Sequence, residues 1–168
     1  PGTDGKAKMS KSLGNCIYLS DTSKEIKKKV NSMYTDPEHL QISDPGHVEG
    51  NVVFTYLDAF STDEHFAKFL PEYENLDQMK EHYRRGGLGD GTCKKFLFNI
   101  MEDIHQPIRE RRSEYEKDIP KVYDILKRGS ETARAEAART LADVRKAMKI
   151  DYFDDAQLIA EHTEKYRK

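Results

Sequence analysis

Asn51-Val52-Val53-Phe54-Thr55-Tyr56-Leu57-Asp58-Ala59-Phe60 opens on a residue whose short polar side chain caps a helix. It continues with Val53, Phe54, Leu57 and Phe60 at helical spacing. The segments after it read the same way. Thr62-Asp63 caps a short helix through Phe66, Phe69 and Leu70 that ends near Pro71. Asn75 caps a third, with Leu76, Met79 and Tyr83 inward, and Gly86-Gly87 stops it. Gly86-Gly87-Leu88-Gly89-Asp90-Gly91 has the composition of a phosphate cradle, but a helix precedes it where a dinucleotide fingerprint needs a strand. It reads as a helix stop, a turn and a new cap at Asp90. A long helix follows, with Cys93, Phe96, Leu97, Ile100, Met101, Ile104 and Ile108 as its apolar stripe. Pro107 within it predicts a kink or a break into two helices. Pro120 suits the start of the next helix, with Val122, Ile125 and Leu126 inward and Gly129 as its stop. Ser130 caps an alanine-rich helix through Ala133, Ala137, Leu141, Val144 and Met148, and Asp154 opens a last one through Leu158 and Ile159. The class is mainly α.

Upstream of Asn51, residues 36–50 read as loop, from Asp36-Pro37 through Asp44-Pro45-Gly46 to Gly50, and mark the best internal boundary. Before them, Thr22 and Glu25 form a capping box for a helix whose inner face is Ile26, Val30 and Met33. Cys16-Ile17-Tyr18-Leu19 is a short strand or an extended segment. Nearest the start lies Lys8-Met9-Ser10-Lys11-Ser12, between Gly5 and Gly14. Two ammonium groups and two hydroxyls on a mobile segment suit a polyphosphate. The spacing is not that of a Walker loop, and a solvated basic loop is the plainer reading.

Apolar residues make up 36% of the 168 and charged residues 35%, a lean core for that length. Either the helices form a loose assembly, or their apolar faces meet something outside the chain; Pro1 in place of an initiator methionine favours a fragment. A net charge of −2 gives no global field for nucleic acid, and DNA is not an expected partner. Local basic clusters remain: seven lysines within residues 6–29, Lys80 with Arg84 and Arg85, and Arg109-Glu110-Arg111-Arg112. Cys16 and Cys93 match no metal spacing and read as reduced thiols. No run of about 18 apolar residues is present, so neither membrane insertion nor export is expected.

Lys8-Met9-Ser10-Lys11-Ser12 resembles the signature loop of the class I aminoacyl-tRNA synthetases. Gly2-Thr3-Asp4-Gly5, Leu13-Gly14-Asn15, Met33-Tyr34-Thr35-Asp36-Pro37, Val53-Phe54-Thr55-Tyr56-Leu57, Tyr83-Arg84-Arg85-Gly86-Gly87-Leu88-Gly89-Asp90 and Pro107-Ile108-Arg109-Glu110-Arg111-Arg112 extend the likeness to the bacterial-type tryptophanyl branch of that class. The tyrosine branch tends to carry Phe-Gly where Met9-Ser10 stand. His47-Val48-Glu49-Gly50-Asn51 looks like the other class I motif, His-x-Gly-His or His-x-Gly-Asn, but has one residue too many and lies on the wrong side of the lysine loop; it is read as a decoy.

The resemblance implies a C-terminal half. Its fold would be a helical bundle of anticodon-binding type, preceded by the lysine-loop segment of a Rossmann-like catalytic domain that the chain lacks. Residues 1–45 would close the nucleotide-binding domain, 46–153 would form the anticodon-binding domain and 154–168 a helical tail. The implied reaction joins tryptophan to tRNA(Trp), with ATP and Mg2+ as substrate, in a cytoplasmic homodimer. Lys8 and Lys11 would be the catalytic residues. Met9, Ser10 and Ser12 would complete the ATP and pyrophosphate site, Met9 as the pivot that seats the loop. Arg109, Arg111 and Arg112 are candidate tRNA contacts, with structural ion pairing as their alternative role. The chain alone would be inactive. A stand-alone helical RNA-binding module and a helical scaffold are the competing readings.

Overall fold

The computed structural model describes residues 1–167. Seven helices and no strand occur among them: α1 (Ser23–Asn31), α2 (Val52–Phe60), α3 (Asp63–Phe69), α4 (Leu76–Arg85), α5 (Asp90–Glu116), α6 (Ile119–Ala147) and α7 (Ala156–Lys165). The first compact unit is Pro1–Ser113, and the second begins at Glu114. Within the first unit, Ile26 and Val30 of α1 share one core with the helices that follow.

Local sequence sets most of the helix starts. Thr22 Oγ1 accepts from Glu25 N at 3.3 Å, and the Glu25 carboxylate accepts from Thr22 N at 2.7 Å, a complete capping box. Asn51 Oδ1 accepts from Val53 N at 3.1 Å, Asn75 Oδ1 from Gln78 N at 3.1 Å and Asp118 Oδ1 from Lys121 N at 3.1 Å. Each such cap is worth about 1 kcal/mol. In the first unit the apolar stripes of α1 to α5 converge: Val30, Leu57, Met79, Tyr83, Leu97 and Ile100 are all fully buried. The glycine at the end of α4, Gly86, is its C-cap at φ +86°.

Of the two readings of Cys16–Leu19, the strand is not formed. Four expectations are corrected. Asp90 is the first residue of α5 rather than its cap; its carboxylate turns inward, accepting from Tyr83 Oη at 2.7 Å. Pro107 does not break α5, which runs on to Glu116; most of that helix is already held by its buried stripe. Gly129 does not stop α6 and Ser130 caps nothing: one 29-residue helix runs through both. A mid-helix glycine costs only about 1 kcal/mol, which the good helix formers around it outweigh. Finally, Ile125 and Leu126 were expected inward, yet both are exposed, as are Leu141, Val144 and Met148, and α6 buries no residue.

Candidate functional site

The lysine loop is built around one buried amide. Asn15 is 4% exposed. Its Oδ1 accepts from Ser10 N at 2.8 Å, and its Nδ2 donates to the Asp4 carboxylate at 3.2 and 3.3 Å and to the Lys8 carbonyl at 3.4 Å. Three separate points of the chain are thereby tied together. Backbone bonds close the frame: Gly2 N donates to Ala7 O at 2.6 Å, Thr3 N to Asn15 O at 3.0 Å and Gly14 N to Lys11 O at 3.2 Å. Burial raises the Asp4 carboxyl, but the hydrogen bonds from Asn15 and the backbone outweigh it and hold the group below the usual carboxylate range.

The frame is seated on the helical core. Tyr56 Oη donates to Pro1 O at 2.7 Å, and burial pushes that phenol up to about 12. Tyr34 N donates to Thr3 O at 3.4 Å. Gly5, at φ +68°, lies so close to α2 that a Cβ would come within 2.5 Å of Val52 Cγ2. Met9 is half-buried against the core. Lys8, Lys11 and Ser12 are exposed, and Ser10 Oγ lies 2.7 Å from Ser12 Oγ. Backbone fixed, cations free in solvent: such a loop can bring two point charges and hydroxyl donors to a polyanion without reorganising its own frame.

The arginines have other surroundings. Arg109 makes a two-pronged pair with Glu102, at 3.2 and 2.8 Å, and also donates to the Asp21 carbonyl at 3.3 Å. That guanidinium pins α5 to the start of α1. Arg111 and Arg112 are exposed further along α5. His47, in the motif read as a decoy, is bound to Asp36, whose carboxylate accepts from His47 Nδ1 at 2.9 Å and from His47 N at 2.7 Å; Asn51 of the same stretch is the α2 cap.

Sequence reasoning placed Asn15 only within a block of likeness and gave it no role; its position after a glycine at φ +65° was the available signal. It also missed the buried polar chain in which Asn51 Nδ2 donates to Tyr83 Oη at 3.2 Å and Tyr83 to Asp90, with His39 Nδ1 3.3 Å from the same carboxylate. Among the described residues no group of three His, Cys, Asp or Glu is placed to hold a metal ion, and no helix is long and apolar enough to cross a membrane.

Residues 1–106 match the family model of the class I tRNA synthetases (W and Y). The tryptophan–tRNA ligase of Clostridium longisporum is 58% identical over 155 residues, which cover 92% of this chain and 43% of the relative. That of Streptococcus pyogenes is 55% identical over 153 residues, 91% of this chain and 43% of the relative. The chain therefore spans less than half the length of these curated relatives. A crystal structure of tryptophanyl-tRNA synthetase from Campylobacter jejuni, complexed with ADP and tryptophan, superposes with a TM-score of 0.67 at 26% identity, over 88% of this chain and 42% of that one.

Proposed function

The chain belongs to the class I tRNA synthetases that handle tryptophan and tyrosine, and from that membership we propose that it is the C-terminal part of a tryptophan–tRNA ligase. The observation that carries the reading is the lysine loop: Lys8 and Lys11 stand in solvent on a backbone locked by Asn15. Identity of 58% to a tryptophan–tRNA ligase supports tryptophan rather than tyrosine as the amino acid.

In the intact enzyme the tryptophan carboxylate attacks the α-phosphate of ATP, forming tryptophanyl-adenylate and releasing pyrophosphate. The aminoacyl group then passes to the 3′ end of tRNA(Trp). Negative charge grows on the leaving pyrophosphate in the transition state. Lys8 and Lys11 meet that charge as it develops, with the hydroxyls of Ser10 and Ser12 as donors and Met9 as the apolar seat. Stabilisation of this kind accelerates the step because it is stronger in the transition state than in the ground state. Mg2+ enters with ATP as part of the substrate.

Residues 1–45 supply the loop and its link through α1, residues 46–153 the helical tRNA-contacting part and residues 154–168 a tail. The intact enzyme is a cytoplasmic homodimer. Arg109, Arg111 and Arg112 are its candidate tRNA contacts.

The test joins this chain to the N-terminal portion of the Clostridium longisporum ligase and measures amino acid-dependent ATP–pyrophosphate exchange. Tryptophan-dependent exchange that disappears in the Lys8→Ala/Lys11→Ala variant supports the reading. Exchange driven by tyrosine instead, or indifferent to both lysines, overturns it.

A further inference from the structure

The amide of Asn15 reaches several points of the chain, and two of them flank a single residue. The Lys8 carbonyl, which accepts from Asn15 Nδ2 at 3.4 Å, belongs to the peptide unit before Met9. The Ser10 N–H, which donates to Asn15 Oδ1 at 2.8 Å, belongs to the peptide unit after it. One side chain thus holds both peptide planes of Met9, while the Met9 side chain is itself half-buried against the core. The points from which Lys8 and Ser10 leave the chain are thereby set. The bond from Gly14 N to the Lys11 carbonyl at 3.2 Å extends the constraint to Lys11.

The orientation of that amide is imposed from outside. The Asp4 carboxylate accepts on the Nδ2 side, at 3.2 and 3.3 Å, and the Ser10 N–H donates on the Oδ1 side. A carboxylate only accepts and an N–H only donates, so one orientation of the amide satisfies both. A carboxamide supplies two N–H donors and an acceptor oxygen; a carboxylate of the same shape supplies no donor. Gly2 leaves the room for it, since a Cβ there would come within 2.1 Å of Asn15 Nδ2. Among the described residues none of the Asn15 hydrogen bonds reaches a loop ammonium or hydroxyl. Its influence on them passes through the backbone.

We propose that Asn15 is a positioning residue for adenylate formation: it sets where Lys8 and Lys11 stand as charge grows on the leaving pyrophosphate, and it governs the rate of that step rather than ATP affinity. The proposal rests on the ligase reading. A contact that is stronger in the transition state than in the ground state raises the rate, and it does so only from the right place. Misplacement by about 1 Å costs about 10²-fold.

The test compares the joined enzyme with its Asn15→Ala, Lys11→Ala and Asn15→Ala/Lys11→Ala variants in single-turnover adenylate formation, with ATP affinity taken from the concentration dependence. Asn15→Ala is expected to slow the step by about 10²-fold and to leave ATP affinity within about threefold of the parent. In the Lys11→Ala background the same change is expected to cost about tenfold less, because one of the groups it positions is gone. A merely structural Asn15 would lower the folded fraction and cost the same factor in both backgrounds; equal factors overturn the proposal. So does a parent-like rate in Asn15→Ala, or a loss confined to ATP affinity. Gly2→Ala, which displaces the amide and keeps every residue of the lysine loop, is expected to slow the step in the same direction, and it takes the place of Asn15→Ala in the cycle if that variant melts below the assay temperature. Absence of tryptophan-dependent exchange in the unmodified joined enzyme overturns the ligase reading and the proposal together. Exchange in that enzyme with no slowing by Asn15→Ala or Gly2→Ala overturns the proposal alone.

Discussion

The side-chain oxygen of Asn15 holds the backbone N–H of Ser10 at 2.8 Å, so the middle of the lysine loop is anchored by a residue five positions downstream. The other end of the same amide engages Asp4. Asn15→Ala leaves the Ser10 N–H and the Asp4 carboxylate without this partner, a loss of about 1–3 kcal/mol. Asn15→Asp sets two carboxylates against each other and is expected to lower the thermal midpoint further. Adding Asp4→Asn to Asn15→Asp restores a donor–acceptor pair. Thermal denaturation of the four chains checks this: a double variant no more stable than Asn15→Asp would show that the pair does not set the loop frame.

Lys11 is expected to act mainly in the transition state. In the joined enzyme, Lys11→Ala should slow adenylate formation by about 10²–10³ while ATP affinity changes much less. Single-turnover kinetics separate the two quantities. An equal loss in both would make Lys11 a ground-state binding residue.

Gly5 and Gly14 share a positive φ, +68° and +65°, but not their surroundings. A methyl at Gly14 meets nothing within 4 Å, whereas at Gly5 it strikes Val52. Gly14→Ala should cost about 1–2 kcal/mol for the backbone alone. Gly5→Ala should cost about 1–3 kcal/mol more, part of it recovered against a Val52→Ala background. Denaturant titration of the single and double variants measures the difference.

Gly129 lies in the interior of α6, and an added Cβ there meets nothing within 4 Å. Gly129→Ala is therefore expected to stabilise the helix by about 0.5–1 kcal/mol. A fall in helical signal or melting temperature would mean that the helix ends at that glycine.

The Asp36 hydrogen bond and charge raise the His47 pKa above its ordinary value. A raised folded-state pKa means that the protonated pair stabilises the fold fully below about 6.5, and that this contribution is lost as pH rises through the folded value. The melting-temperature gap between the parent and His47→Gln should accordingly be widest near pH 5 and shrink towards pH 8. A gap independent of pH would detach His47 from Asp36.

Much of the first unit is legible from short-range chemistry. Asn51, Asn75 and the Thr22–Glu25 box each mark a helix start through bonds that span two or three residues. What escaped reading depends on longer reach. Arg109 finds Glu102 seven residues away and the Asp21 carbonyl on another helix, beyond the i,i+4 neighbourhood that sequence spacing describes. Asn15 gains its role only when residues 4, 8 and 10 fold back upon it. Gly129-Ser130 reads as punctuation because those residue types usually punctuate, and only the continuity of the surrounding helix overrules them.

Cys93 is 1% exposed and burial pushes its thiol up to about 12; Cys16 is buried as well. Since the thiolate is the reacting form, Cys93 does not offer itself to an alkylating dye, and burial shields Cys16. A cysteine introduced at the exposed Ser12 would be the single labelling handle on the chain, and a dye placed there would report the arrival of a polyanion at the lysine loop.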